Sequence, residues 1–118
     1  KPELRSYTLI PVTLQEAEQA CGCTTVSALI DCIAGNGESL ETFLQHNLGP
    51  GFLNAFPIEE HIAVFSDVRR DLVGMKVESI YMAGEELQLR YVDDQGKELR
   101  LNISLNEAGK IRGLRLAG

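Results

Sequence analysis

The sequence predicts an α+β fold in which N-terminal helices pack on one face of a C-terminal, four-stranded antiparallel meander. Apolar residues recur at helical spacing between residues 13 and 73, and they alternate with polar residues between residues 75 and 117. Two similar turn sequences, DDQGK and NEAGK, each separate two alternating segments. A sheet with one apolar face requires cover, so we expect the helices and the sheet to form one cone-like domain.

Length and composition limit the classes of protein to consider. A chain of 118 residues is expected to form a single domain, and its 44% hydrophobic and 24% charged residues are typical of globular proteins. The net charge of −6 disfavours contact with phosphate backbones, so nucleic acid is not an expected partner. No apolar run reaches the roughly 18 residues that a membrane span requires. No phosphate-loop, dinucleotide or serine-nucleophile motif predicts a cofactor.

The first twelve residues are extended in character. Pro2 and Pro11 bracket strand-forming residues such as Leu9, so we expect residues 1–12 to form an extended arm or an additional edge strand. The chain begins at Lys1 rather than at Met, as expected of a mature form or of a fragment of a longer protein.

Four helices are predicted between residues 13 and 73. The first begins with a capping box of Thr13 and Glu16 and ends at Gly22. The second begins at Thr24 or Thr25 and ends at a GNG turn, where two glycines stop the helical pattern. The third covers residues 38–47 and is closed by a GPG turn.

The fourth predicted helix, residues 57–72, is the expected cover of the sheet. Proline is favoured at a first helical position, and a glycine follows the last turn. The loop before this helix contains Phe52, Leu53 and Phe56, which we expect to pack into the core. The apolar stripe of the helix consists of Ile58, Ile62, Phe65, Val68 and Leu72.

The two turn sequences predict the register of the last three strands. If Leu89 lies opposite Leu101 and Leu105 lies opposite Ile111, both loops contain three residues and end on glycine. A glycine in that position adopts the left-handed conformation that closes such a loop. The alternation slips after Ile111, which predicts a bulge at residues 112–113.

The polar face of the predicted sheet carries candidate ligand-binding residues. The register places Arg90 opposite Arg100, with Gln88 and Asn102 nearby on the same face. Like charges in opposite positions are unfavourable unless an anion or an acidic side chain lies between them. We therefore consider an anionic ligand or the acidic edge of a partner, with a solvated face of surface ion pairs as the alternative.

The first hairpin of the meander is predicted to pair Tyr81 with Leu87. This register turns Tyr81 and Tyr91 toward the helices and makes them candidate ligand-binding residues in the cleft between sheet and helices. The alternative is that both are tyrosines at the rim of the core. The same register leaves Ile80 and Met82 on the open face, where they favour a homodimer through the sheet.

The cysteines and histidines do not form a recognisable site. An odd count of three cysteines excludes a disulfide-rich scaffold, and free thiols are favoured, with a disulfide from Cys21 or Cys23 to Cys32 as the alternative. Their spacing does not match the paired ligand clusters of zinc sites, so no metal site is predicted. His46 and His61 are predicted to be surface residues, and no catalytic residue is predicted.

Helices followed by an antiparallel meander resemble the nuclear transport factor 2-like superfamily, or a shortened cystatin-like relative. More narrowly, residues 24–117 are similar to the small domain attached to some bacterial serine hydrolases of the β-lactamase and penicillin-binding type. The similar segments are Gly37-Glu38, Phe43-Leu44 with Leu48, residues 57–61, residues 71–74 and residues 109–114.

This resemblance implies a non-catalytic accessory domain in a bacterial periplasmic or secreted protein, whose chain continues upstream into a hydrolase. It implies no catalytic residue and no cofactor. Members of the wider superfamily bind small apolar ligands or dimerise through the sheet, and both are expectations for this chain. Other members are isomerases or cyclases, so the alternative is a small cavity enzyme that uses Tyr81 or Tyr91.

Overall fold

The computed structural model describes residues 9–118, which form five helices and a five-stranded antiparallel sheet. Residues 1–8, most of the predicted N-terminal arm, lie outside the described residues. The helices are α1 (Leu14–Cys21), α2 (Thr25–Ile33), α3 (Leu40–Asn47), α4 (Pro50–Ala55) and α5 (Ile58–Asp71). The strands are β1 (Ile10–Val12), β2 (Lys76–Ala83), β3 (Glu86–Val92), β4 (Glu98–Leu105) and β5 (Ile111–Ala117).

The sheet has the strand order β1-β2-β3-β4-β5, and every pair of neighbours is antiparallel. The predicted α+β class is confirmed, and the four strands of the meander are joined by an edge strand, which was one of the two predicted alternatives for residues 1–12. The additional strand, β1, pairs with the end of β2 and places Ile10 opposite Met82 and Val12 opposite Ile80. Strands β1 and β5 therefore form the two edges of the sheet.

The register of β3, β4 and β5 is the predicted one. Leu89 lies opposite Leu101, and Leu105 lies opposite Ile111. Both loops end on a glycine with a positive φ, as the two turn sequences predict. The predicted bulge at residues 112–113 is also present, because the pairing of β4 with β5 shifts beside Leu105.

The register of β2 and β3 differs from the predicted one by a single residue. The two strands are joined by a two-residue turn whose first residue, Gly84, has a φ of 62°. Tyr81 therefore lies opposite Gln88 rather than Leu87. Because successive side chains of a strand alternate between faces, this shift places Tyr81 on the open face and not toward the helices.

A bulge in β2 restores the predicted pairing at the other end of the hairpin. The register shifts between Val77 and Ser79, so that Val77 lies opposite Tyr91 and both face the helices. On the turn side of the bulge, Ile80 belongs to the buried core and Met82 packs against it. The apolar contact that these two residues were predicted to add to the open face is therefore absent.

Helix α5 covers the sheet through its predicted stripe. Phe65, Val68 and Leu72 are buried, and Ile58 and Ile62 pack against the same core. Burial of each such side chain stabilises the fold by about 1.5–3 kcal/mol. The core is continuous with the inner face of the sheet, where residues of β2 to β5 are buried.

The segment predicted as a loop before α5 contains helix α4. Pro50 begins this helix, a position at which a missing N–H costs no hydrogen bond. Phe52 and Leu53 pack against the core as expected, but Phe56 is 50% exposed, so its predicted burial is wrong. Across residues 9–118, none of the helices has both the length and the apolar character that a membrane crossing requires.

Candidate functional site

An apolar cleft of about 460 Å³ lies between the end of α2, the connection from α5 to β2, and the sheet. Gly74, with a φ of 79°, turns the chain from α5 into β2 and leaves this end of the core open. The lining includes one charged residue, Lys76, and no carboxylate. The other lining residues are Ile30, Ile33, Ala34, Leu72, Val73, Gly74, Met75, Val77 and Tyr91.

Tyr91 supplies a buried hydroxyl beside this cleft. It lies in the middle strand β3, faces the helices as predicted and is 3% exposed. Its hydroxyl oxygen has no hydrogen-bond partner among the described residues. Burial raises the pKa of Tyr91, so its phenol remains neutral and able both to donate and to accept a hydrogen bond.

The open face of the sheet carries a row of polar side chains across four strands. Tyr81 of β2 lies beside Gln88 of β3, Asn102 of β4 and Arg115 of β5. The Gln88 Nε2 donates a hydrogen bond of 3.0 Å to Asn102 Oδ1. These side chains thus lie at adjacent register positions on a solvent-facing surface.

The two predicted arginines lie in the next row of the open face. Arg90 is opposite Arg100, as the register predicts. Glu98 contacts both, at 2.7 Å from Arg90 Nη2 and 2.7 Å from Arg100 Nε, and Glu78 forms a second ion pair with Arg90. The repulsion between the arginines is therefore offset by acidic side chains of the same face, without an external anion.

The ion pairs change the protonation behaviour of this row. Hydrogen bonds from Arg90 and, to a smaller extent, from Arg100 lower the pKa of Glu98 to about 2. The hydrogen bond to Glu98 in turn raises the pKa of Arg90. Glu98 is therefore ionised across the whole physiological pH range. Because the arginines of this row are already paired with carboxylates, they offer little unpaired charge to a ligand.

No family model, no curated protein and no solved structure matches this chain. The assignment of a site depends on the geometry of the described residues. That geometry divides the predicted ligand-binding residues into two groups. Tyr81, Gln88, Arg90, Arg100 and Asn102 share the open face, and Tyr91 lies on the opposite face beside the cleft.

The cysteines form a disulfide between Cys21 and Cys23, with a Cα–Cα distance of 5.3 Å. The favoured prediction, free thiols, is therefore wrong for Cys21 and Cys23 and holds for Cys32, and the alternative, a bond from either of them to Cys32, is also wrong. Cys32 is a buried free thiol in α2, and burial raises its pKa. The two bonded cysteines are separated only by Gly22, which has a left-handed φ of 66° at the end of α1.

His61 is buried, which contradicts its predicted surface position. Its Nε2 lies 3.2 Å from the carbonyl oxygen of Leu53, and its ring meets the rings of Phe52 and Phe56 edge to face. His61 lies four positions before Phe65 in α5, at the border of the apolar stripe. That spacing was the signal in the sequence that could have indicated its burial.

Arg69 links two helices, a role that the sequence did not reveal. Its Nε and Nη2 donate hydrogen bonds of 3.1 Å and 2.8 Å to the carbonyl oxygen of Cys32. Cys32 lies in the last turn of α2, where backbone carbonyls lack helical partners. Arg69 therefore caps the C-terminal end of α2 from α5.

Proposed function

We propose that this chain is a non-catalytic ligand-binding domain whose cleft holds a small, largely apolar molecule. The observation that carries the proposal is Tyr91, which lines an apolar cleft and whose buried hydroxyl has no hydrogen-bond partner among the described residues. A buried hydroxyl without a partner costs about 1–3 kcal/mol. A ligand with one hydroxyl or carbonyl group would supply the missing partner, and its apolar part would cover the walls.

The dimensions of the cleft support this proposal. Ligand sites in proteins typically enclose about 300–1,000 Å³ and combine apolar walls with a few polar groups. The cleft has about 460 Å³, and Tyr91 and Lys76 are its lining residues with polar side-chain groups. The exposed side chain of Val73, at 78% exposure, lies at the same cleft and offers further apolar surface to a ligand.

The alternative, a small cavity enzyme of the isomerase or cyclase type, has weaker support. Such an enzyme needs a carboxylate as base close to the tyrosine that stabilises the oxyanion. The described lining contains Tyr91 and Lys76 but no carboxylate. Tyr81, the second tyrosine of that hypothesis, lies on the other face of the sheet.

We also propose that the domain is an accessory module of the nuclear transport factor 2-like or cystatin-like kind, in a bacterial periplasmic or secreted protein. The order of helices and antiparallel strands supports it. The disulfide between Cys21 and Cys23 supports an oxidising compartment. The parent reading frame tests the idea, because a frame without an upstream hydrolase contradicts it.

Self-association through the open face of the sheet is a second, weaker proposal. Ion pairs occupy one row of that face, and the apolar residues Ile80 and Met82 lie on the other face of the sheet. A stable dimer buries more than about 1,000 Å². Light scattering over a concentration series tests it, and a mass that stays monomeric throughout contradicts it.

The ligand-binding proposal is tested with 1-octanol, a neutral probe with one hydroxyl group. In a titration followed by NMR, we expect saturable shifts of the backbone amides of Ile33, Met75 and Tyr91. The substitution Tyr91→Phe is expected to weaken binding of 1-octanol roughly 3- to 10-fold, which corresponds to the loss of one hydrogen bond between protein and ligand. Because it removes a buried hydroxyl without a partner, the variant should unfold at an equal or higher temperature.

Tyr81→Phe is the matched control, since it removes the same atom from the open face. It is expected to leave the affinity for 1-octanol unchanged. Absence of saturable binding to the wild-type protein, or equal losses in Tyr91→Phe and Tyr81→Phe, contradicts a ligand site in the cleft.

A further inference from the structure

Strand β5 is an edge of the sheet, and its outer side is paired only at its first residue, Ile111. Its neighbour β4 occupies one side. On the other side, Leu48 forms a parallel bridge with Ile111, and the Gly49 N–H donates a hydrogen bond of 2.7 Å to the Ile111 carbonyl. After Gly49 the chain continues into α4, which itself packs against β5, and no strand of residues 9–118 pairs with the rest of this edge.

An apolar groove runs beside the unpaired part of β5. It has a volume of about 240 Å³ and is lined by Phe52, Phe56, Glu60, His61, Val64 and Leu114. Phe56 and Val64, which are 50% and 51% exposed, add apolar surface to this groove. The groove lies on the helix side of the sheet, because Leu114 packs against the core.

On the open face of the sheet, opposite the groove, the same edge is basic. The segment KIRGLR, residues 110–115, contains three basic residues and no acidic one, although the chain as a whole has a net charge of −6. Arg115 is exposed on the open face and forms no ion pair with the described residues. Arg112 is paired with Glu85 at 3.2 Å, so Arg115 is the available charge of β5.

We propose that the β5 edge and its groove bind an extended segment of a partner protein in which apolar and acidic residues alternate. The segment would continue the pairing that Leu48 begins and add a sixth strand to the sheet. Because side chains of a strand alternate, its apolar residues enter the groove beside Leu114 and its acidic residues lie next to Arg115. This inference is independent of the ligand proposed for the cleft.

A second copy of this chain fits the edge less well. Pairing of β5 with another β5 brings basic residues together on the open face, and like charges on neighbouring strands are unfavourable. The charge of the edge therefore favours an acidic partner over self-assembly.

The probe for this surface is the peptide acetyl-DVDFDVD-amide, and its control is acetyl-DDVVFDD-amide, which has the same composition without the alternation. We expect the first to bind with a Kd below about 1 mM and the second at least 10-fold more weakly. NMR shifts and slower amide exchange should map to residues 112–117. Equal binding of both peptides, or shifts confined to other strands, overturns the proposal.

A charge reversal separates this effect from misfolding. Arg115→Glu is expected to weaken binding of acetyl-DVDFDVD-amide at least 5-fold and to create binding of acetyl-KVKFKVK-amide. Lys97→Glu, an equal change in charge at the loop between β3 and β4, is the matched control and should alter neither affinity. If Arg115→Glu and Lys97→Glu act alike, the proposal is wrong, because the peptide then responds only to net charge.

Discussion

At the scale of single residues, Gly109 joins parts of the molecule that are far apart in the sequence. Its carbonyl accepts a hydrogen bond of 2.5 Å from Thr25 Oγ1, and its Cα lies against the disulfide of Cys21 and Cys23. A Cβ atom at this position would lie 2.7 Å from Cys23 Cβ and 2.9 Å from its Sγ. Glycine is therefore required here both by the turn, with a φ of 76°, and by the approach of the disulfide.

Gly96 and Gly109 close similar hairpins, so a comparison of the two separates the requirement of the turn from that of the nearby disulfide. Gly96 closes the other hairpin with a φ of 85°, but a Cβ there meets no atom within 4 Å. We expect Gly96→Ala to reduce the free energy of unfolding by about 1 kcal/mol, through backbone strain alone. Gly109→Ala should cost an additional ~1–3 kcal/mol because the disulfide must shift. Urea denaturation of both variants measures the difference, and equal losses contradict the close approach.

At the scale of the elements, strand β2 reconciles two demands that conflict. The two-residue turn at Gly84 requires Met82 to face Leu87, whereas the core requires Val77 to face the helices opposite Tyr91. A regular strand can satisfy only one of these two demands, because a shift of one residue in register moves every side chain to the opposite face of the sheet. The bulge beside Val77 accommodates one extra residue, Glu78, and places it where it forms an ion pair with Arg90.

The ion pairs of β3 and β4 predict a dependence of stability on pH. The pKa of Glu98 falls from 4.5 to about 2 in the folded protein. A carboxylate with a lowered pKa stabilises the folded state above its unfolded pKa, and this contribution disappears as the pH falls through the folded value. We therefore expect the difference in unfolding free energy between wild type and Glu98→Gln to decrease from pH 4.5 to pH 2, measured by urea denaturation.

The control for this prediction is Glu107→Gln, which removes an exposed carboxylate that pairs with no described residue. Its profile should remain parallel to that of the wild type over the same pH range. High salt should reduce the contribution of Glu98, because ions in solution weaken ion pairs that are in contact with solvent. A difference for Glu98→Gln that stays constant with pH is the result that opposes the assignment.

At the scale of the whole molecule, one apolar core holds the helices on the sheet. Phe65 of α5 lies at its centre and is 2% exposed, with its ring centroid 6.2 Å from that of Phe43 in α3. The same core includes the buried leucines of β3 and β4. Helices and sheet are therefore expected to unfold together rather than as separate units.

Removal of this central ring tests the shared core. Phe65→Ala is expected to reduce the free energy of unfolding by about 3–5 kcal/mol, since it leaves a cavity between α3, α5 and the sheet. Val64→Ala changes the preceding residue of the same helix, which is 51% exposed, and should cost less than about 1 kcal/mol. Circular dichroism and tyrosine fluorescence should report one common transition in both variants, and separate transitions contradict a shared core.

Much of the fold could be predicted because its signals are local. The capping box of Thr13 and Glu16 and the stripe of α5 involve residues within one or two helical turns. The registers of the two glycine-closed hairpins depend on loops of three residues. The arginine pair on the open face followed directly from one of these registers, so that part of the candidate surface was also predictable.

The sequence by itself thus determined the α+β class, the helix that covers the sheet and the register of β3 to β5, since each depends on neighbouring residues. Only the tertiary structure decided which face Tyr81 occupies, which cysteines pair and where His61 and Arg69 lie. It also decided that residues 10–12 pair as an edge strand rather than form a free arm, and it left the cleft beside Tyr91 open. These features depend on contacts between segments that are distant in the sequence. The free energies of such contacts are larger than those of the local conformational preferences of the residues involved.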